Sequence, residues 1–287
     1  MIRDMLVETA SRHAGTVKFE LPHPCKLRVE KVSRVFHAPN NGSVKALEDI
    51  SLEIGQAEFL CIVGPSGCGK STLLNLMAGL DQPTSGEIRL DGQQVGGPGA
   101  DLSVIFQELG LFPWLTVIQN VEFGLKMRGV GRTKRREQAR EHLRLVHLSG
   151  FEDSYIHQLS GGMKQRVALA RSLVLQPDVL FMDEPFAALD AQTRDLMHEE
   201  LERIWKQTGQ TIVFVTHNVR EAIRLGDRVV LLTFRPGRVK SVFPVDLPRP
   251  RHLEDPELAL RAGEVLAQLK EEINKAFEEE YGHATQS

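Results

Sequence analysis

Apolar residues follow two rhythms along this chain. Between Lys26 and Ile54 they alternate in short pieces, KLRVEKVSRVF and then ALEDISLEI, on either side of the polar break HAPNNGS. A period of two predicts half-buried strands, so this segment reads as antiparallel strands around a loop, a β-rich flap. Next comes the short apolar run EFLCIVG at 58 to 64, a glycine-rich loop, and STLLNLMAGL, whose leucines, methionine and alanine suit a buried helix. GEIRLDG and LSVIFQ are further strand candidates.

The rhythm changes from about Thr116 to His157, where apolar residues take helical spacing and the charged run RTKRREQAREHLR appears. This predicts a helical insertion, and RTKRRE reads as a solvated helix start in preference to a lipid or nucleic-acid patch. Apolar strands return at VLFMDE (179 to 184) and TIVFVTH (211 to 217), each preceded by a helix-like stretch. Strand, helix, strand in succession predicts a parallel sheet covered on both faces. RVVLLTFRPGRV then reads as a hairpin. From 255 to 280 the spacing places Leu258, Ala262, Leu266, Leu269, Ile273 and Phe277 on one helical face, expected to pack back on the core. Only the first 25 or so residues look unanchored, and no internal repeat or low-complexity tract stands out.

Composition changes this picture little. With 41% hydrophobic and 25% charged residues in 287, the chain has the make-up of a soluble globular protein with room for two lobes. A formal charge of -3 carries no basic footprint, so no nucleic-acid partner is expected. The start MIRDMLVETASRHAGTVKFE has acidic residues where a secretory signal would be apolar, and nothing approaches the ~18 apolar residues of a spanning helix. A cytosolic chain is the expectation. Cys25, Cys61 and Cys68 fit neither a disulfide framework nor a zinc site and read as reduced thiols.

The candidate chemistry lies at predicted strand ends. GPSGCGKST at 64 to 72 fits the phosphate-loop pattern G-x-x-x-x-G-K-[ST], and it sits between a predicted strand and a predicted helix as that motif requires. Gly64, Gly67 and Gly69 let backbone N–H groups turn inward around phosphate oxygens, with Pro65, Ser66, Cys68 and Thr72 completing the loop. Lys70 can reach the β and γ phosphates of ATP, and Ser71 is placed to ligate Mg2+. Asp183, at the end of the apolar strand in VLFMDE, is the carboxylate that such an ion needs. Glu184 beside it could polarise an attacking water, although a DE pair after a strand is often only a helix cap. Gln107 and His217 end two further strands, for metal sensing and γ-phosphate contact respectively; a lone histidine would more often be a satisfied core residue. A second glycine-rich stretch, LSGGMKQR at 159 to 166, offers Ser160, Gly161 and Gly162 as another anion-binding helix start, with Ser160 as N-cap. At Cys68 the helix N-terminus is expected to favour thiolate.

Taken together these residues resemble the ATP-binding cassette (ABC) ATPases. The stretch from 64 to 72 is similar to the Walker A motif, Gln107 to the Q-loop glutamine, LSGGMKQR to the signature, VLFMDE to Walker B, AALD at 187 to 190 to the D-loop, and His217 to the switch histidine, in the family's order. The resemblance covers about 26 to 250. It implies an α/β fold, a P-loop NTPase (RecA-like) core with an antiparallel β subdomain and an α-helical subdomain. The implied division is a flexible extension over 1–25, an ATPase domain over 26–254 with its helical part at about 108–165, and a C-terminal helix and tail over 255–287.

Resemblance also implies ATP and Mg2+ as ligands, with Ser71, Gln107 and Asp183 on the metal and catalysis by Glu184, His217, Gln107 and Lys70. It implies a head-to-tail homodimer in which each Walker A site is closed by the partner's signature, Asp190 linking the two sites. Phe36, in SRVF, would stack on adenine where many members have tyrosine. Met163 replaces the glutamine most often seen after SGG, a change that should leave ATP binding intact. FQELGLFPWLTVIQNV and FPVDLPRPR look like the ATPases of nitrate, sulfonate and taurine importers. That narrower likeness implies a peripheral protein on the cytoplasmic face of the cell membrane, bound to permease subunits and served indirectly by a solute-binding protein. The cluster of Phe112, Pro113 and Trp114 would meet the permease, or the rings could simply fill a local core.

Other classes fit less well. A soluble ABC-type ATPase acting on DNA or ribosomes usually brings two cassettes or a long coiled coil, and this chain has one cassette and no sustained heptads. A non-hydrolysing interaction protein should lack Glu184 or His217. A sugar importer's ATPase would need a larger C-terminal domain than about 50 residues allow.

Overall fold

The computed structural model describes residues 23–37, 42–99 and 101–281. The expectation of a flexible start over 1–25 falls outside these residues except at its end, where Cys25 already opens the first strand.

In chain order the elements are β1 (Cys25–His37), β2 (Ser43–Gly55), β3 (Phe59–Val63), α1 (Lys70–Met77), β4 (Ser85–Leu90), β5 (Gln93–Gln94) and β6 (Leu102–Ile105). They continue with α2 (Val117–Met127), α3 (Arg132–Leu145), α4 (Gly161–Leu173), β7 (Val179–Asp183), α5 (Ala191–Thr208), β8 (Thr211–Val215), α6 (Val219–Leu225), β9 (Arg228–Leu232), β10 (Val239–Pro244) and α7 (Pro256–Tyr281). The alternating segment forms the expected antiparallel flap, a four-stranded sheet in the order β2-β1-β4-β5. The continuous apolar runs form a six-stranded sheet in the order β10-β9-β3-β8-β7-β6. All its pairings are parallel except that of β10 with β9, the predicted hairpin.

The apolar runs are continuous because both faces of the sheet are covered. On β3, Phe59, Cys61 and Val63 face a core shared with α2 to α7, while Leu60 and Ile62 face the core shared with α1 and the flap. The neighbours β7, β8 and β9 split their side chains in the same way. Helices α2 and α3 bury Val117, Val121, Leu125, Ala139 and Leu143 against α4, as a helical insertion should. Parallel strands aim their C-terminal ends at one edge, where the loop of 64–69 follows β3, Gln107 follows β6, Asp183 ends β7 with Glu184 next, and His217 follows β8.

The C-terminal helix packs on the core, but with a face other than the expected one. Its buried stripe is Leu258, Ala262, Val265, Leu269 and Glu272, whereas Leu266, Ile273 and Phe277 are 43%, 48% and 63% exposed. Glu272 sets this rotation, because Lys240 Nζ and the N–H of Phe234 both hold its carboxylate against the β9–β10 hairpin.

Candidate functional site

The phosphate-loop residues begin where β3 stops at Val63, and α1 begins at Lys70. Between them the chain turns through Gly67 and Gly69 at φ of 73° and 99°, a region that glycine enters without a Cβ penalty. At Gly69 a Cβ would also lie 2.8 Å from Leu47 Cδ2 of the flap. Gly64 and Pro65 are buried and Ser66 is exposed. The Lys70 side chain folds back under the loop, its Nζ donating to Gly64 O at 3.0 Å and Pro65 O at 3.1 Å. Its ammonium is therefore already inside the ring of backbone that would surround a phosphate. Thr72 is half-buried and Ser71 exposed in the first turn of α1.

Asp183 ends β7 in register with Val215 of β8. Burial raises its carboxyl above the usual range; a hydrogen bond with Ser71 and the Lys70 charge act in the opposite direction, while Glu184 adds to the rise. Its Oδ1 is buried with no hydrogen-bond partner. A buried carboxylate oxygen left unsatisfied beside a serine hydroxyl is a costly arrangement unless a cation completes it, so this pair fits Mg2+.

Glu184 follows with φ of 43°, its N–H donating to Val215 O at 2.9 Å. The positive φ belongs to a region that non-glycine residues rarely enter, and it turns the Glu184 side chain to His217, whose Nδ1 lies 2.8 Å from Glu184 Oε2. His217 is exposed and stands two residues beyond β8, so it is no core histidine. Gln107 is also exposed, two residues beyond the end of β6 at Ile105, and β6 is the strand beside β7. The strand is shorter than LSVIFQ predicts, leaving Phe106 and Gln107 in the loop that follows.

The second glycine-rich stretch starts α4. Ser160 caps it, accepting from Met163 N–H at 3.3 Å. A Cβ on Gly162 would lie 2.9 Å from Thr193 Cγ2 and one on Gly161 3.3 Å from Leu189 Cδ2, so these glycines allow the stretch to lie against the start of α5. Asp190 caps α5 by accepting from Thr193 N–H at 3.0 Å. Phe36 sits on β1, 41% exposed, with the Arg34 guanidinium carbon 4.7 Å from its ring centroid.

The thiolate expected at Cys68 is corrected. The side chain is buried, and desolvation pushes its thiol up despite the nearby Lys70 charge. The helix N-terminus does not overcome removal from water. Cys25, Cys61 and Cys68 are all free thiols, as expected.

Several contributors escaped sequence reasoning. Arg171 on α4 donates to Leu109 O at 2.6 Å and Gly110 O at 2.7 Å, tying the segment after Gln107 to the helix that Ser160 begins. Asn120 holds Phe112 through both backbone groups, at 2.8 and 3.1 Å. A polar asparagine amid the apolar VIQNVEF was the available signal for it. Phe112 packs on Phe123 with ring centroids 4.5 Å apart, while Trp114 is 70% exposed beside a groove of about 440 Å³ lined by Gln119, Phe123, Lys126, Arg132 and Arg136. The two rings thus divide the two readings, one packed and one open.

Behind His217 lies a buried network. His198 Nε2 lies 2.6 Å from Glu221 Oε1, Thr216 Oγ1 donates to the other Glu221 oxygen, and Arg224 Nη1 approaches His198 Nδ1 at 3.4 Å.

Comparison with known proteins identifies the family. Residues 47–187 match the family model described as ABC transporter. An uncharacterized ABC transporter ATP-binding protein of Methanocaldococcus jannaschii is 51% identical over 252 residues, covering 88% of this chain and 94% of its own. The nitrate import ATP-binding protein of Synechocystis sp. is 52% identical over 222 residues, covering 77% of this chain and 83% of its own. The taurine import ATP-binding protein of Burkholderia pseudomallei is 49% identical over 224 residues, covering 78% and 86%. Among solved structures, a dimeric ATP-binding cassette in a post-hydrolysis state bound to ADP and Pi superposes with a TM-score of 0.67 at 32% identity, over 77% of this chain and all of the other. This chain belongs to the ABC transporter ATP-binding proteins, the family of ATP-hydrolysing transport subunits.

Proposed function

We propose that the chain energises uptake of a small anionic or polar solute, of the nitrate, sulfonate or taurine class, through a separate membrane permease. The observation that carries the catalytic part is the joining of Glu184 and His217 at 2.8 Å beside the unsatisfied Asp183 Oδ1, at the sheet edge where the phosphate loop begins. Loop N–H groups and Lys70 bind the ATP phosphates, and Phe36 stacks on the adenine. Ser71, Asp183 and Gln107 would hold Mg2+, which neutralises charge on the phosphate oxygens. Glu184 takes a proton from the water that attacks the γ-phosphate in line. His217 orients Glu184 through Nδ1 and contacts the γ-phosphate with the other side of its ring.

Two copies pair head to tail. Ser160, Gly161 and Gly162 of each close the γ-phosphate side of the other's loop, and Asp190 links the two sites. The pairing supplies the donors that a single phosphate loop lacks and keeps bulk water out. Among the described residues no helix is long and apolar enough to cross a membrane. The exposed Trp114 and its groove support a permease segment docking there on the cytoplasmic face. Arg171 then carries closure of the signature helix to that segment. A solute-binding protein outside the membrane acts through the permease and does not touch this chain.

The relatives' names support this cargo class, since nitrate and taurine are the solutes in them. Uptake of labelled nitrate, taurine, an alkanesulfonate and bicarbonate by the native cells, with other routes removed, tests this reading. Glu184→Gln is expected to abolish entry of one of these solutes. Normal entry of all of them would refute the importer role and leave the ATPase.

A further inference from the structure

The loop of the β9–β10 hairpin, residues 233–238, is bound on several sides. Thr233 and Arg238 close it, with Thr233 N–H donating to Arg238 O at 2.9 Å. Toward the flap, Gly237 N–H donates to Ala46 O at 2.9 Å and its carbonyl accepts from Glu48 N–H at 3.0 Å. Toward α7, Phe234 N–H donates to Glu272 Oε2 at 3.0 Å. Glu272 is itself buried and held by Lys240 at 2.8 Å and Lys275 at 2.7 Å.

The remaining side is the phosphate loop. A Cβ on Gly237 would sit 2.1 Å from Cys68 O, so only glycine lets the two loops approach this closely. Next to it, Arg235 Nε donates to Gly67 O at 3.0 Å. Arg235 Nη2 comes so near that a Cβ on Gly67 would lie 2.8 Å from it. Among the described residues the recorded partners of this guanidinium are the Gly67 carbonyl and, at 5.8 Å, the Phe234 ring, not a carboxylate.

The backbone pairing through Gly237 fixes the hairpin loop to the flap without Arg235. What Arg235 does reach is the peptide joining Gly67 to Cys68. A cation bound to the oxygen of a peptide polarises it and makes its N–H a stronger donor. The N–H of this peptide is that of Cys68, which here donates only at long range, to Pro65 O at 3.4 Å, and so can exchange that acceptor for an anion in the loop.

We propose that Arg235 is a positioning residue for the nucleotide phosphates. It holds the Gly67–Cys68 peptide in its phosphate-binding orientation and strengthens the Cys68 donor, while Glu272 on α7 fixes the aim of the hairpin loop. This rests on the reading of residues 64–72 as the nucleotide site, and it adds the C-terminal helix to the parts that govern nucleotide affinity.

The test is titration of the full chain with the fluorescent analogue mant-ATP in the presence of Mg2+, alongside melting temperature and steady-state hydrolysis. Arg235→Ala is expected to weaken binding and raise KM about five- to twentyfold with kcat within about twofold, because a charge-assisted bond to the ground-state loop is lost. Arg235→Lys, which keeps a cation, is expected to recover part of that loss, and Lys70→Ala to lose more than Arg235→Ala. Affinity within about twofold of wild type in Arg235→Ala, whatever its melting temperature, would overturn the proposal and leave a structural clasp. If Lys70→Ala bound normally as well, the nucleotide site itself would have been misplaced.

Discussion

His217 Nδ1 lies 2.8 Å from Glu184 Oε2, a contact that joins the ends of two neighbouring parallel strands. Each residue stands just past the last hydrogen-bonded pair, Asp183 with Val215, so the sheet itself sets their separation. Removing the ring should leave the carboxylate misaligned. His217→Ala is expected to bind ATP within about threefold of wild type yet lose about a hundredfold or more in kcat, measured by phosphate release.

The cysteines should report burial more than position in the sequence. Cys61 and Cys68 are buried and their thiols are pushed up by desolvation, whereas Cys25 is half-buried at the start of β1. Brief iodoacetamide treatment of the native protein near pH 7.5, read by peptide mass spectrometry, should modify Cys25 and spare the other two. All three should react in denaturant.

Glu272 makes stability depend on acid pH. Burial alone would raise its carboxyl, but hydrogen bonds from Lys240, Lys275 and the Phe234 N–H outweigh that and bring it down from 4.5 to about 2. A group lowered on folding contributes stability that is fully present above its unfolded value and lost as pH falls through its folded one. The melting temperature of wild type minus that of Glu272→Gln should therefore be steady above about pH 5 and shrink between pH 4.5 and 2.

Trp114 is expected to separate hydrolysis from transport. At 70% exposure its removal should cost less than about 0.5 kcal/mol of stability and leave ATP turnover of the isolated subunit within about twofold. Solute uptake in cells carrying Trp114→Ala should fall, since the docking groove loses its largest open ring.

Much of the sheet was legible because a strand buried on both faces is apolar along its length, as FLCIV is throughout and TIVFV and RVVLL are after their first residue. The phosphate loop and the residues after β7 and β8 were legible because their chemistry lies in contiguous motifs. What the sequence hid depends on contacts between distant segments. Glu272 is charged, so helical spacing alone sends it outward; its partners Lys240 and Phe234 lie more than thirty positions away and rotate α7 by one residue. Cys68 stands at a helix start, but its side chain is buried in the core that α1 shares with the flap, a contact among separate elements. Arg171 and Arg235 act on carbonyls 61 or more positions away, for which local pattern carries no signal.

The most direct measurement is ATP turnover and oligomeric state of Glu184→Gln with Mg2+ and ATP, by phosphate release and size-exclusion chromatography. Loss of turnover by about a hundredfold or more, with ATP still bound and a dimer now trapped, is the result expected of a general base at a shared site. Turnover near the wild-type rate would remove Glu184 from catalysis and with it the reading of this sheet edge as the hydrolytic site.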